Sequence, residues 1–196
     1  MSYTVVGKVA SRAFRVLWAL EELGLDYVHL DEPPQSDAVR AHNPAGKVPV
    51  LLVDGVALTD STAIIQFLAD KHGALTFPAG TIDRARQDGF TQFVLDELDA
   101  VLWTAARHSF ILPEDKRVPE VKPSLKWEFN RSVAELMRRK GEGEFLMGDT
   151  MTVADIVAVH CGNWAVGAKF PVENDEFAAY CSNIRAREAF KRARKA

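Results

Sequence analysis

The sequence predicts a small α/β domain built on a mixed sheet over residues 1–74, then an all-helical domain over residues 83–196, joined by a linker at 75–82. Three observations carry this. Short strand-like runs alternate with helical patterns only as far as Gly73. The composition then shifts through a Gly-, Pro- and Thr-containing stretch, residues 73–82. Beyond Asp83 apolar residues recur only at helical spacing.

In the first domain, residues 3–6 read as a strand. Residues 12–23 read as a helix, with Val16, Leu20 and Leu23 on one face and Gly24 as the stop. Residues 27–30 form a second strand. Pro33, Pro34, Pro44 and Gly46 make 31–46 mostly loop, with one helical turn near 36–41. Asp54-Gly55 between the apolar runs 50–53 and 56–58 is a hairpin signal, because both turn residues must take positive φ. A helix over 62–72 follows, closed by Gly73. The order β-α-β-turn-β-β-α implies one parallel and one antiparallel pairing, not a doubly wound nucleotide-binding sheet.

In the second domain, Phe90, Val94 and Val101 lie beside Leu95, Leu98 and Leu102, two adjacent apolar faces of one deeply packed helix. Three prolines in 112–123 break the pattern. Leu125, Phe129, Val133 and Leu136 mark the next helix, residues 152–166 a third, and the segment from Glu173 one or two more. Thr152 with Asp155 three residues on is a capping-box variant, stapled by Met151 and Ile156. The basic tail (Arg185, Arg187, Lys191, Arg192, Arg194, Lys195) reads as a solvated helix face.

Composition excludes several classes. A net charge of −3 provides no global attraction to nucleic acid or an anionic membrane. No apolar stretch approaches the ~20 residues of a membrane span, and the start has no signal-peptide pattern. Cys161 and Cys181 form no CxxC, and no His/Cys cluster has metal-ligand spacing, so neither a disulfide framework nor a bound metal is expected. The expected compartment is the cytoplasm.

Three features carry chemistry. In Asn43-Pro44-Ala45-Gly46-Lys47-Val48-Pro49-Val50-Leu51, a proline opens an apolar strand. Pro49 is either an ordinary trans proline or a cis bond that turns the Val48 backbone outward to pair with an extended peptide. Asp60-Ser61 at a helix start is either an N-cap or a site for the carboxylate and ammonium of an amino-acid backbone. Ser11, between the first strand and helix, is a cap or a hydrogen-bond donor. No base has the spacing to make it a nucleophile.

These pieces resemble the glutathione transferase superfamily: Ser11 to Leu25, Asn43 to Leu51, Asp60 to Ile64 and Gly148 to Asp155, in order and over almost the whole chain. The resemblance implies a thioredoxin-like first domain with cis-Pro49 and an all-helical second. It implies glutathione as cosubstrate, its cysteinyl backbone paired with Val48. Ser61 would hold the γ-glutamyl carboxylate, with Asp60 near the ammonium and Lys47 toward the glycyl end; Arg40 and His42 are secondary candidates there. Ser11 sits at the thiol-activating position of the serine-type, theta-like bacterial enzymes. Val6-Gly7-Lys8 stands where tyrosine-type relatives carry Tyr, and Ala10 where cysteine-type ones carry Cys. Ala10-Ser11-Arg12 departs from the Ser-Ser-Cys of zeta-like isomerases. Trp103, Arg107, His108 and Trp164 are candidates for the pocket of a small hydrophobic electrophile. A detoxifying homodimer is implied. The alternatives are a non-catalytic glutathione-binding member, or a glutathione-dependent peroxidase or isomerase.

Overall fold

The computed structural model describes all residues, 1–196. It divides into two compact units. The first comprises 1–79 together with 185–196, the second 80–184.

The first unit holds a four-stranded sheet in the order β2-β1-β3-β4, with β1 at Tyr3–Val6, β2 at Val28–Leu30, β3 at Val50–Val53 and β4 at Val56–Thr59. β1 and β2 are parallel and β3–β4 antiparallel, as the element order implies, and β1–β3 is a second antiparallel pair that it does not specify. The hairpin turns on Asp54 (φ 48°) and Gly55 (φ 86°), both left-handed as the turn type demands. Helix α1, Ala13–Glu22, is buried along its length from Ala13 to Leu20. It packs between β1, helix α3 (Ser61–His72) and the C-terminal helix. The short helix α2, Asp37–Arg40, is pinned by Val39 in an apolar cluster with Val6 and Val50.

In the second unit α4 (Ile82–Val94) runs through a π-helical turn at Leu95–Asp99 into α5 (Ala100–Ala106) and a second π turn at Arg107–Ile111. The proline-rich stretch forms two 3₁₀ turns before α6, Lys122–Lys140. α7, Val153–Gly167, is the central helix, buried on every side from Val153 to Val159. α8, Asp175–Arg185, completes the unit. The capping box at the start of α7 is larger than its sequence signature. Asp155 accepts from the Thr152 N–H at 2.8 Å and the Leu146 N–H at 2.8 Å, and from the Tyr180 hydroxyl at 2.7 Å. Burial, with the facing Asp155 carboxylate, holds the Tyr180 phenol protonated well above its ordinary range, so it stays a donor. No helix is long and apolar enough to cross a membrane.

The C-terminal segment corrects the expected boundary of the helical domain. Helix α9, Glu188–Ala193, lies against α1 in the first unit. Lys191, Arg192, Arg194 and Lys195 are exposed as the solvated-face reading expects, but two of the basic residues also pair with α1. Arg187 forks onto Glu22 with two bonds of 2.8 Å, and Arg192 Nε reaches Glu21 at 2.6 Å. Phe190 is buried edge-on against Phe14 and Trp18, with centroids 5.1 and 5.0 Å apart. The period of six residues in α9 was too short for its apolar face to be read from sequence. Phe190→Ala is expected to lower unfolding free energy by about 3–4 kcal/mol in a denaturant titration. A loss under about 1 kcal/mol would mean that α9 adds little to the unit.

Candidate functional site

The loop after β1 is built around Gly7. Its φ of 142° suits glycine, and a Cβ placed there would lie 2.9 Å from Ala13 Cβ and 3.0 Å from Val48 Cβ. The end of β1, the start of α1 and the segment before Pro49 therefore meet where only a hydrogen fits. The Gly7 N–H donates to Leu30 O at 3.0 Å, and His29 Nε2 donates to Gly7 O at 2.8 Å.

Four residues on, Ser11 is half-buried. Its hydroxyl donates to Lys8 O at 2.6 Å and accepts from the Ala13 N–H at 3.1 Å. The Ser11 oxygen thus accepts from the first N–H of α1, next to the Arg12 N-cap, while its proton goes to Lys8 O.

The Val48–Pro49 peptide bond is cis. Pro49 is buried, Val48 half-buried and Lys47 exposed. The loop leading to them is braced from within. Gln35, at φ 72°, pairs its N–H with Gly46 O at 2.9 Å, while its side-chain amide reaches Ala45 O at 3.2 Å. Arg40 bonds Gln35 Oε1, Gln35 O and Pro44 O. Its guanidinium is a strut of this loop, which argues against the ligand role considered for it. His42 is exposed on the same loop. Asn43 supplies the second strut, donating to Lys47 O at 2.9 Å and accepting from the Ala45 N–H at 3.2 Å. The Asn-Pro-Ala-Gly run is therefore a device for presenting Lys47 and Val48.

Asp60 caps α3 from an unusual backbone, φ 71° and ψ 117°. Such a conformation costs a non-glycine residue about 1–3 kcal/mol. Two bonds to its Oδ1, from Thr62 N–H at 2.9 Å and Ala63 N–H at 3.1 Å, offset part of that cost. The kink turns Ser61 inward, where it is 3% exposed. Ser61 Oγ accepts from Arg15 Nη1 at 3.3 Å, and Arg15 is itself 1% exposed on α1. A buried guanidinium thus ties the helix that begins beside Ser11 to the helix that begins at Ser61. The sequence marks Arg15 only by its place four residues after Ser11, one turn on, so its side chain lies on the same face.

In the second unit, Trp103 is half-buried on α5 and Arg107 exposed one turn later. Arg107 Nη2 bonds Thr104 Oγ1 at 2.9 Å. His108 Nδ1 accepts from the Val118 N–H at 3.0 Å, which anchors the 3₁₀ segment. Trp164 on α7 stands edge-on to His160, 6.4 Å between centroids. The open groove of about 480 Å³ in this unit runs along Gln92, Phe93, Asp96 and Glu97 and touches none of these four candidates. No group of His, Cys, Asp and Glu is arranged to hold a metal ion.

The first unit thus joins a thioredoxin-like mixed sheet, a cis-proline at the start of β3 and a helix that begins on a buried serine. The comparisons narrow the class. The family described as glutathione S-transferase, N-terminal domain, matches residues 11–71. Glutathione transferase GST 23 of Zea mays is 31% identical over 171 residues, which cover 82% of this chain and 71% of that protein. A glutathione transferase of Methylococcus capsulatus superposes with a TM-score of 0.83 at 25% identity, covering 98% of this chain and 97% of that one. A glutathione S-transferase of Methylobacterium radiotolerans, solved in complex with glutathione sulfonate, gives 0.80 at 25% identity over 98% and 94%. The chain belongs to the glutathione transferase family.

The close approach at Gly7 yields a test. Gly7→Ala should destabilise the protein by about 2–4 kcal/mol, from the left-handed φ and the overlap with Ala13 and Val48 together. Equilibrium unfolding measures it, and an unchanged midpoint would show that the three segments can part at no cost.

Proposed function

We propose that this glutathione transferase holds glutathione on its first unit and activates the thiol through Ser11. In this reading the Val48 backbone pairs with the cysteinyl residue, Ser61 and the N-terminus of α3 take the γ-glutamyl carboxylate, and Asp60 lies toward the ammonium. Lys47 reaches the glycyl carboxylate as an exposed cation. The observation that supports it most is the joint constraint on Val48, Ser11 and Ser61. Val48 abuts Gly7, Ser11 follows on the same loop, and Arg15 on the helix after Ser11 binds Ser61.

The chemistry follows from the thiol. A free thiol with a pKa near ~8.5 is mostly protonated at neutral pH, whereas the nucleophile is the thiolate. A downward shift of about two units corresponds to roughly 2.7 kcal/mol of selective stabilisation. Ser11 must first turn its hydroxyl away from Lys8 O, a bond worth about 1 kcal/mol net. A charge-assisted bond to the thiolate contributes about 1.5–3 kcal/mol, so the exchange is favourable. The thiolate then attacks the electrophilic atom of a small hydrophobic substrate, forming the carbon–sulfur bond as the leaving group departs with its electron pair. Trp103, Arg107, His108 and Trp164 are the proposed residues on the electrophile's side. The same reading takes the enzyme as a serine-type, cytoplasmic, detoxifying homodimer.

One observation favours a second reading. The Ser11 proton is committed to Lys8 O in the resting structure, as it would be in a member that binds glutathione without efficient turnover. Ser11→Ala separates the two. Retention on immobilised glutathione should persist, while turnover with an aryl halide falls about ten- to a hundredfold and its acid limb moves up toward the free-thiol pKa. Undiminished turnover would remove Ser11 from the mechanism. Retention with no turnover in the parent protein would favour the binding module.

A further inference from the structure

We propose that His29 is a positioning residue for thiol activation, acting through the Gly7–Lys8 peptide on the Ser11 hydroxyl. The inference rests on the Ser11 reading above. It begins with the conflict at Gly7. No side chain fits between Ala13 and Val48, so the residue must be glycine. Glycine, however, has the softest backbone torsions of any residue, and nothing in its own sterics holds the following peptide in one orientation. That peptide matters, because the next carbonyl along, Lys8 O, is the acceptor of both the Ser11 N–H at 3.0 Å and the Ser11 hydroxyl at 2.6 Å.

His29 supplies the missing restraint. It stands on β2 opposite Val5 of β1 in the parallel register, and its Nε2–H donates to Gly7 O at 2.8 Å. With the Gly7 N–H held by Leu30 O, both polar groups of Gly7 are fixed by the same strand. Gly7 O and Lys8 O belong to consecutive peptide units, so fixing the first sets the second within one residue's freedom. The relay is His29 Nε2–H to Gly7 O, across the Lys8 residue to Lys8 O, and from there to Ser11 Oγ. A loose relay would let Lys8 O follow the hydroxyl as it turns and keep its proton. A fixed carbonyl lets the hydroxyl leave for the sulfur. A carbonyl oxygen accepts only, so His29 must carry its proton on Nε2 to make this bond. No side chain of its strand neighbours shares this role: those of Val28 and Leu30 are exposed and apolar at the sheet edge.

His29 also lines an open cleft of about 500 Å³ in the first unit, with Glu21, Asp26, Tyr27 and Arg192 around it. His29, half-buried, is thus open to solvent through this cleft.

The experiment compares His29→Leu, His29→Gln, Ser11→Ala and the Ser11→Ala/His29→Leu double variant, each checked for folding by thermal melting. Leucine removes the donor at similar volume, and the glutamine amide can replace it. In His29→Leu, kcat at neutral pH should fall about tenfold, while KM for glutathione changes less than about twofold. The pH inflection of kcat should move upward with it, and His29→Gln should recover most of the loss. The double variant should turn over no more slowly than Ser11→Ala alone, as two members of one relay do. Where leucine unseats the strand, His29→Ala is assayed with and without imidazole, which can enter by the cleft, and kcat should rise on addition. Unchanged kcat and pH profile in His29→Leu, beside an impaired Ser11→Ala, would overturn this inference alone. A parallel loss of KM, kcat and melting temperature that neither glutamine nor imidazole repairs would also overturn it. Full turnover in Ser11→Ala would instead defeat the Ser11 reading, and the relay with it.

Discussion

The first unit is organised by a point where three segments of the chain come too close for a side chain on the middle one. At Gly7 the end of β1 is pressed between Ala13 and Val48, and the separation allows only a hydrogen. Two other features depend on that closeness. The loop that carries Ser11 departs from this point, and the segment that presents the Val48 main chain passes beside it. The price of the arrangement is a soft residue at the centre of a site that needs precise geometry. The surrounding structure answers with hydrogen bonds from β2, from Asn43 and from Gln35.

The site is held together by buried polar contacts more than by apolar packing. Arg15 and Ser61 are almost wholly excluded from solvent and joined to each other. Burying a charge is costly unless it is paired or hydrogen-bonded, so such a group persists only where its surroundings hold it in place. Asp60 adds strained backbone at the same place, offset by its own carboxylate over the first turn of α3. Preorganisation of this kind leaves little ordering cost for any ligand that binds there.

Much of this was legible in the sequence, and the exceptions have physical causes. The β1–β2 and β3–β4 pairings, the Asp54-Gly55 turn and the Thr152–Asp155 box appear as expected, whereas the pairing of β1 with β3 joins residues some 45 apart and carries no local signal. The cis bond at Pro49 was ambiguous from local sequence and specified by family likeness. His29 carried no signal at all. One polar residue in a three-residue edge strand looks like any solvent-facing position, and its partner is a backbone carbonyl, invisible to pattern. Tyr180 was hidden for a related reason: its partner Asp155 is 25 residues away and already explained by its cap. The basic tail is largely exposed, as its charge implies, but the pairing of Arg187 and Arg192 with α1 is invisible to local pattern. Its acidic partners Glu21 and Glu22 lie more than 160 residues earlier, beyond any periodicity argument.

The pairing of α9 with α1 also sets an order of events at the ribosome. Phe14 and Trp18 are made more than 170 residues before their partner Phe190. At synthesis rates of roughly 5–20 residues per second, that face of α1 lacks its cover for on the order of ten seconds. An apolar helix face waiting that long invites chaperones and self-association alike. The arrival of α9 is therefore the step that ends the exposure of that face of α1.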